Sequence, residues 1–137
     1  MSVPDNKELV RMFIDRVAIH HDADSAAELI TADYMVHDPT RPDFRGGIEA
    51  FKEMMRECVG STRDDSFTVD DMIAEGDRVV TRWTASGCQV KDLPGIPNRG
   101  KCYKVSGISI TRIADGKIAE EWVEWDTAGF AEQLKAA

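Results

Sequence analysis

No apolar run in this chain approaches the 18 or so consecutive residues that a membrane-spanning helix needs. Basic residues are scarce as well: 17 Lys and Arg stand against 25 Asp and Glu, for a net charge of −8. With no Lys/Arg stripe, binding to a nucleic-acid backbone is excluded as an expectation. There are only three histidines, and His20 and His21 are adjacent. The chain holds no H-E-x-x-H, no paired Cys/His ligand set and no G-x-x-x-x-G-K-[ST]. Zinc hydrolysis and P-loop phosphate binding are therefore not expected, and neither a metal nor an organic cofactor is.

"SGISI" is not the G-x-S-x-G turn of serine hydrolases. Cys58, Cys88 and Cys102 are odd in number and lack C-x-x-C spacing, which reads as reduced thiols packed as small hydrophobes. The start, "MSVPDNKELV", has neither a basic nor an apolar stretch and is not a secretory signal, so a cytoplasmic location is expected.

What is present is a globular composition, 42% hydrophobic and 31% charged over 137 residues. A chain of that size forms one domain, 1–137, and buries about two-thirds of the surface exposed when unfolded. From Asp5, Leu9, Val10, Phe13, Ile14, Val17 and Ala18 keep helical spacing, with Asp5 and Glu8 placed as a capping box. A second, short helix is expected from Asp24 to Ile30. "DYMVHDP" then reads as an extended segment ended by Pro39. Ile48, Phe51, Met54, Met55 and Cys58 predict a third helix over 48–58.

After that the period changes to two. Alternation from Phe67, a turn at Glu75-Gly76-Asp77 and renewed alternation over 78–88 predict a β-hairpin. The Pro- and Gly-rich stretch "VKDLPGIPNRG" is a loop long enough to act as a lid. A strand over 101–113, the turn Ala114-Asp115-Gly116, a last strand and a terminal helix over 127–134 follow. Helices first and a strand meander after them imply an α+β fold: one largely antiparallel sheet with helices on one face.

The last strand, "GKIAEEWVEWD", sets two tryptophans among Glu120, Glu121, Glu124 and Asp126. Strict alternation puts Ile118, Glu120, Trp122, Glu124 and Asp126 on one face and Ala119, Glu121, Val123 and Trp125 on the other.

The order of elements, with "DYMVHDP" at 33–39, "GIPNRGK" at 95–101 and "ITRIADGKIAEEWVEWD" at 110–126, resembles the SnoaL-like polyketide cyclase family of the nuclear-transport-factor-2-like superfamily. The resemblance covers nearly the whole chain. It implies a cone-shaped α+β barrel whose curved, mostly antiparallel sheet wraps the N-terminal helix, with a pocket at the open end. It also implies a homodimer or larger homo-oligomer formed through the outer sheet face. In the family's cyclases the aspartate ending the last strand is the acid/base of an intramolecular aldol closure, without metal or cofactor, and Asp126 matches it. The resemblance turns the Ile118 to Asp126 set inward, which makes Trp122 a pocket wall and Val123 and Trp125 part of the dimer face.

A carboxylate in such a pocket is expected to have a raised pKa. Asp126 is equally well placed to cap the helix "TAGFAEQL", and residue type alone leaves both roles open. His37, in the segment the resemblance brings near the pocket, is a second candidate acid/base group, or else a satisfied half-buried polar group. Its "HDP" context also suits a turn in which Asp38 bonds the backbone.

Trp83 and Tyr34 are candidates for an aromatic cavity closed by Phe13 and Val17 from the helix side; core packing is the competing role of each. The family's frequent histidine on the penultimate strand is missing from "KCYKVSGISITRI". The Arg-and-two-Asp arrangement of the superfamily's epoxide hydrolases is also broken, since Thr84 stands two residues after Arg82. The expected ligand is a small hydrophobic, carbonyl-bearing molecule. The expected activity is aldol-type cyclisation, with an isomerase, a hydrolase or a non-catalytic ligand-binding or dimerisation module as alternatives.

Overall fold

A computed structural model describes residues 3–135. The chain runs α1 (Val3–Ile14), a π-helical turn (Asp15–Ile19), α2 (Ala23–Ala27), β1 (Ile30–His37), α3 (Ile48–Cys58), β2 (Thr62–Glu75), β3 (Arg78–Gln89), β4 (Cys102–Ala114), β5 (Lys117–Trp125) and α4 (Thr127–Lys135). The five strands form one sheet in the order β1-β5-β4-β3-β2. Every neighbouring pair is antiparallel except β1 and β5, which run parallel. This mixed, curved sheet with helices on its concave face is the α+β architecture read from the sequence.

The apolar stripe of α1 buries Leu9, Val10 and Phe13. They meet Ala26 and Ala27 of α2, Tyr34 and Val36 of β1, Phe51 and Met55 of α3, and Val79, Ile113 and Ile118 of the sheet in a single buried cluster. Removing that apolar area from water is the main force holding the helices in the sheet's hollow. The periodicity of α1 carries on past Ile14, but the hydrogen bonds lengthen by one residue: His20 N–H donates to Asp15 O at 3.0 Å. Val17 and Ala18 of this turn border the hollow between the helices and the sheet.

Two boundaries differ from the sequence reading. Helix α2 stops at Ala27, capped at its start by Asp22 accepting from Ser25 N–H at 3.1 Å, and Ile30 begins β1 opposite Ile118. Sheet pairing outweighed a weak helical propensity there. Strand β2 begins at Thr62, because the polar residues Thr62, Arg63 and Ser66 find partners on β3 that periodicity cannot show.

The cysteines require a correction. Cys88 and Cys102 face each other across β3 and β4 and are joined in a disulfide, leaving Cys58 as the free thiol. Spacing along the chain does not reveal a pairing that the register of two strands creates. Among the described residues, no helix is long and apolar enough to cross a membrane.

Candidate functional site: a polar-ended cavity in the cone

The position of the site depends on one irregularity in β5. Ile113 of β4 faces Ile118, yet Arg112 faces Glu120, so Ala119 is an extra residue on β5. This bulge buries Ile118 and Ala119 together and reverses the alternation after them. The expected inward set is thereby corrected: Glu121, Val123 and Trp125 line the interior, while Glu120, Trp122 and Glu124 lie on the other face.

The interior is a cavity of about 380 Å³ between α1, the π-turn, α3 and the concave sheet, within the range of small-molecule sites. Phe13, Val17, Tyr34 and Trp83, all read from the sequence as pocket residues, border it. Its walls are mostly apolar: Phe67 and Trp83 stack at 5.2 Å between ring centroids, and Phe13, Phe51 and Tyr34 interlock at 5.5 to 6.4 Å. The flat seat of Trp83 requires Gly107. A Cβ there would lie 2.8 Å from Trp83 Cη2 and 2.7 Å from Trp125 Cβ, closer than real contacts allow.

At the deep end stands Glu121. Its Oε2 accepts from the Tyr34 hydroxyl at 2.6 Å and its Oε1 from the Thr111 hydroxyl at 3.1 Å. Burial raises the Glu121 carboxyl above its ordinary value, and the two hydrogen bonds oppose that shift without cancelling it. Tyr34 is held well above the usual phenol value, by burial first and then by the charge of Glu121 beside it. Its position is fixed from outside by a close backbone crossing. Gly47 N–H donates to Tyr34 O at 2.8 Å, and Gly46, at φ +87°, passes so near that a Cβ would sit 3.1 Å from the same oxygen.

Nearer the mouth, Asp38 Oδ1 accepts from Thr40 N–H at 2.8 Å, Thr40 Oγ1 at 2.7 Å and Trp125 Nε1 at 3.2 Å. The "HDP" segment is thus the backbone-bonded turn its sequence suggested, and it also brings a second carboxylate to the cavity. The rim carries the ion pair of Arg41 with Glu57 at 2.6 Å and a contact of His21 Nε2 with Asp65 Oδ2 at 2.9 Å.

Three predicted site residues lie elsewhere. Asp126 is exposed, and its Oδ1 accepts from Gly129 N–H at 2.8 Å, the N-cap of α4. His37 and Trp122 belong to the convex face. There the His37 ring stacks on Trp122 at 5.6 Å, its Nε2 lies 2.7 Å from Glu120 Oε2, and Arg78 sits 5.1 Å over the same indole. Hydrogen bonding from His37, then from Arg112, holds the Glu120 carboxyl below its usual range. Sequence reasoning missed Glu121, Asp38, Thr111 and Trp125 as cavity residues. For the β5 pair the bulge erased the only signal, and for Asp38 that signal was its place in a tight turn. Among the described residues, no group of three or more His, Cys, Asp or Glu is arranged to hold a metal ion.

The model of SnoaL-like polyketide cyclases matches residues 8–134. The chain belongs to the SnoaL-like polyketide cyclase family. Its fold superposes on that of TsrD from Streptomyces laurentii with a TM-score of 0.87 at 31% identity, covering 100% of this chain and 99% of that one. A candidate polyketide cyclase from Acidithiobacillus ferrooxidans gives 0.86 at 27% identity over 100% and 99% of the two chains. IdmH from Streptomyces antibioticus, at 24% identity and TM-score 0.80 over 94% and 97%, shares the fold. No curated protein sequence matches the chain. Family and neighbours together support a cyclase-like protein.

Proposed function

We propose that this chain is an enzyme catalysing an intramolecular aldol-type ring closure of a small, apolar, carbonyl-bearing molecule, with Glu121 as its proton-transfer group. The observation that carries this reading is a half-buried carboxyl of raised pKa, hydrogen-bonded to Tyr34, at the end of an apolar cavity. Such a group is poised nearer neutrality than an exposed glutamate, where a general base works best.

In the ionised form Glu121 takes a proton from the carbon next to a carbonyl. The enolate carbon then bonds to a second carbonyl carbon of the same molecule, and the oxygen of that carbonyl, now an alkoxide, takes the proton back from Glu121. One C–H bond and the π bond of the attacked carbonyl break, and one C–C bond and one O–H bond form. The balance is an isomerisation that calls for no oxidant, reductant or cofactor. Tyr34 keeps the carboxyl oriented through its hydroxyl, and the apolar walls exclude the water that would quench the enolate.

Ring closure of 2,6-heptanedione, followed by NMR, tests the reading. The protein should accelerate it, and Glu121→Gln should lose a factor on the order of 10². Equal rates with and without protein would leave the cavity without this chemistry.

A second reading, a non-catalytic ligand-binding module, is favoured by one observation: the aspartate that follows the last strand, Asp126, accepts a hydrogen bond as a helix cap. We also propose that the chain forms a homodimer through the convex sheet face. Val123 and Trp125, expected there, are in the cavity, and the exposed apolar residues of that face are instead Ile73, Ile108 and Ile110.

A further inference from the structure

Arg41 stands where three hollows meet. Its side chain borders the interior cavity, an open groove of about 360 Å³ between residues 40–45 and α3, and a smaller groove beside His37 and Glu124. Among the described residues, Thr40, Arg41 and Met54 are the ones that border both the cavity and the first groove. These three side chains form the wall between the two spaces.

The backbone around Arg41 is firmly held. Arg41 N–H donates to Asp38 O at 2.9 Å and Phe44 N–H to Arg41 O at 3.2 Å, which makes two successive turns. Thr40 is fixed to Asp38 through both its N–H and its hydroxyl, and Phe44 packs edge-on against Tyr34 at 6.1 Å. The guanidinium is held less firmly. Its Nη1 donates to Glu57 Oε2 at 2.6 Å and its Nη2 to Cys58 Sγ at 3.3 Å. The Glu57 side chain is 58% exposed, however, and sulfur is a weak acceptor. An ion pair so open to solvent is screened and individually weak. Partly exposed side chains of this kind change rotamer quickly, so a rigid turn presents a long side chain that can move by itself.

We propose that Arg41 is a side-chain gate. Latched to Glu57 and Cys58, it closes the wall between cavity and outer groove; swung away, it joins them into one path by which ligands enter and leave. Pro42, Phe44 and Met54 line the groove, so an apolar ligand meets apolar surface before it reaches the interior. This inference rests on the cavity being a ligand site, and it adds the route to that site.

The test follows binding of N-phenyl-1-naphthylamine, a neutral apolar fluorophore, by stopped flow. Arg41→Ala and Glu57→Ala should each raise the association and dissociation rate constants in parallel, by up to about five-fold, because both scale with the fraction of open gate. Their ratio, Kd, should stay within about two-fold of the parent value. Added salt should speed both steps in the parent by screening the latch, and should not do so in Glu57→Ala. Glu53→Phe, which narrows the groove at a residue that does not border the cavity, should slow both steps without changing Kd. If Arg41→Ala does not fold, Glu57→Ala decides. Rate constants unchanged in Arg41→Ala and Glu57→Ala, or a weakened Kd with an unchanged association rate, overturn the gate while leaving the cavity a ligand site. Failure of the parent to bind the fluorophore overturns the cavity reading and the gate with it.

Discussion

The Tyr34 hydroxyl donates a 2.6 Å hydrogen bond to Glu121 Oε2 across 87 residues of chain, tying β1 to β5 where the two strands run parallel. Neither group is easily replaced. Tyr34 is 1% exposed, and removing its hydroxyl leaves Glu121 Oε2 without that partner. Tyr34→Phe should cost about 1–3 kcal/mol in denaturant unfolding. It should also raise the Glu121 pKa further, because the bond it deletes lowers that value. Any activity that needs ionised Glu121 should then begin at higher pH than in the parent.

Stability against pH should carry the imprint of Glu121. Its pKa in the folded protein is raised above the ordinary 4.5, so the folded state holds this proton more tightly than the unfolded chain. The associated stability is fully present below the ordinary value. It is lost as pH rises from there through the raised folded value, at up to about 1.4 kcal/mol per pH unit within that window. Glu121→Gln lacks this loss, so the difference in unfolding free energy between variant and parent should shift toward the variant across the window. A difference that is flat with pH would mean that Glu121 titrates as an exposed carboxylate does.

For Asp126 the expectation is structural. Asp126→Asn preserves the acceptor for Gly129 N–H and should leave folding and ligand binding unchanged, whereas Asp126→Ala should cost about 1 kcal/mol. Thermal melts and cavity-ligand titrations of both variants check this. Loss of binding in the Asn variant would return Asp126 to the site.

Most of the architecture was legible, and the misplaced residues of β5 share one cause. Helical spacing located α1 and α3, and period-two stretches with Gly turns located β3, β4 and β5, because burial of one face imposes those periods. Tyr34, Trp83, Phe13 and Val17 were found for the same reason. Glu121 and Trp122 exchanged faces because a single inserted residue, Ala119, shifts every later side chain of β5, and nothing in "KIAEEWVEW" marks a bulge. Val123 and Trp125 moved inward with the same shift. The Cys88–Cys102 bond likewise depends on the β3/β4 register rather than on any local pattern.

Assembly can be tested on the convex face. Ile108 and Ile110 remain 49% and 36% exposed beside Ile73 at 61%. Sedimentation at micromolar concentration should show a dimer, and Ile108→Asp should convert it to monomer without unfolding it, since the side chain packs no core. A parent protein that sediments as a monomer would contradict this assignment.

One carboxyl in this chain, that of Glu121, is assigned the movement of protons. The direct measurement is exchange of the methyl protons of 2-acetylnaphthalene for deuterium in heavy water, followed by NMR, with the parent protein, Glu121→Gln, Asp126→Asn and His37→Asn. The parent should accelerate exchange, and Glu121→Gln should lose that acceleration by a factor on the order of 10². Asp126→Asn and His37→Asn, whose side chains lie outside the cavity, should retain the parent rate. Exchange as fast in Glu121→Gln as in the parent, or abolished in Asp126→Asn, would contradict the assignment of Glu121 as the proton-transfer group.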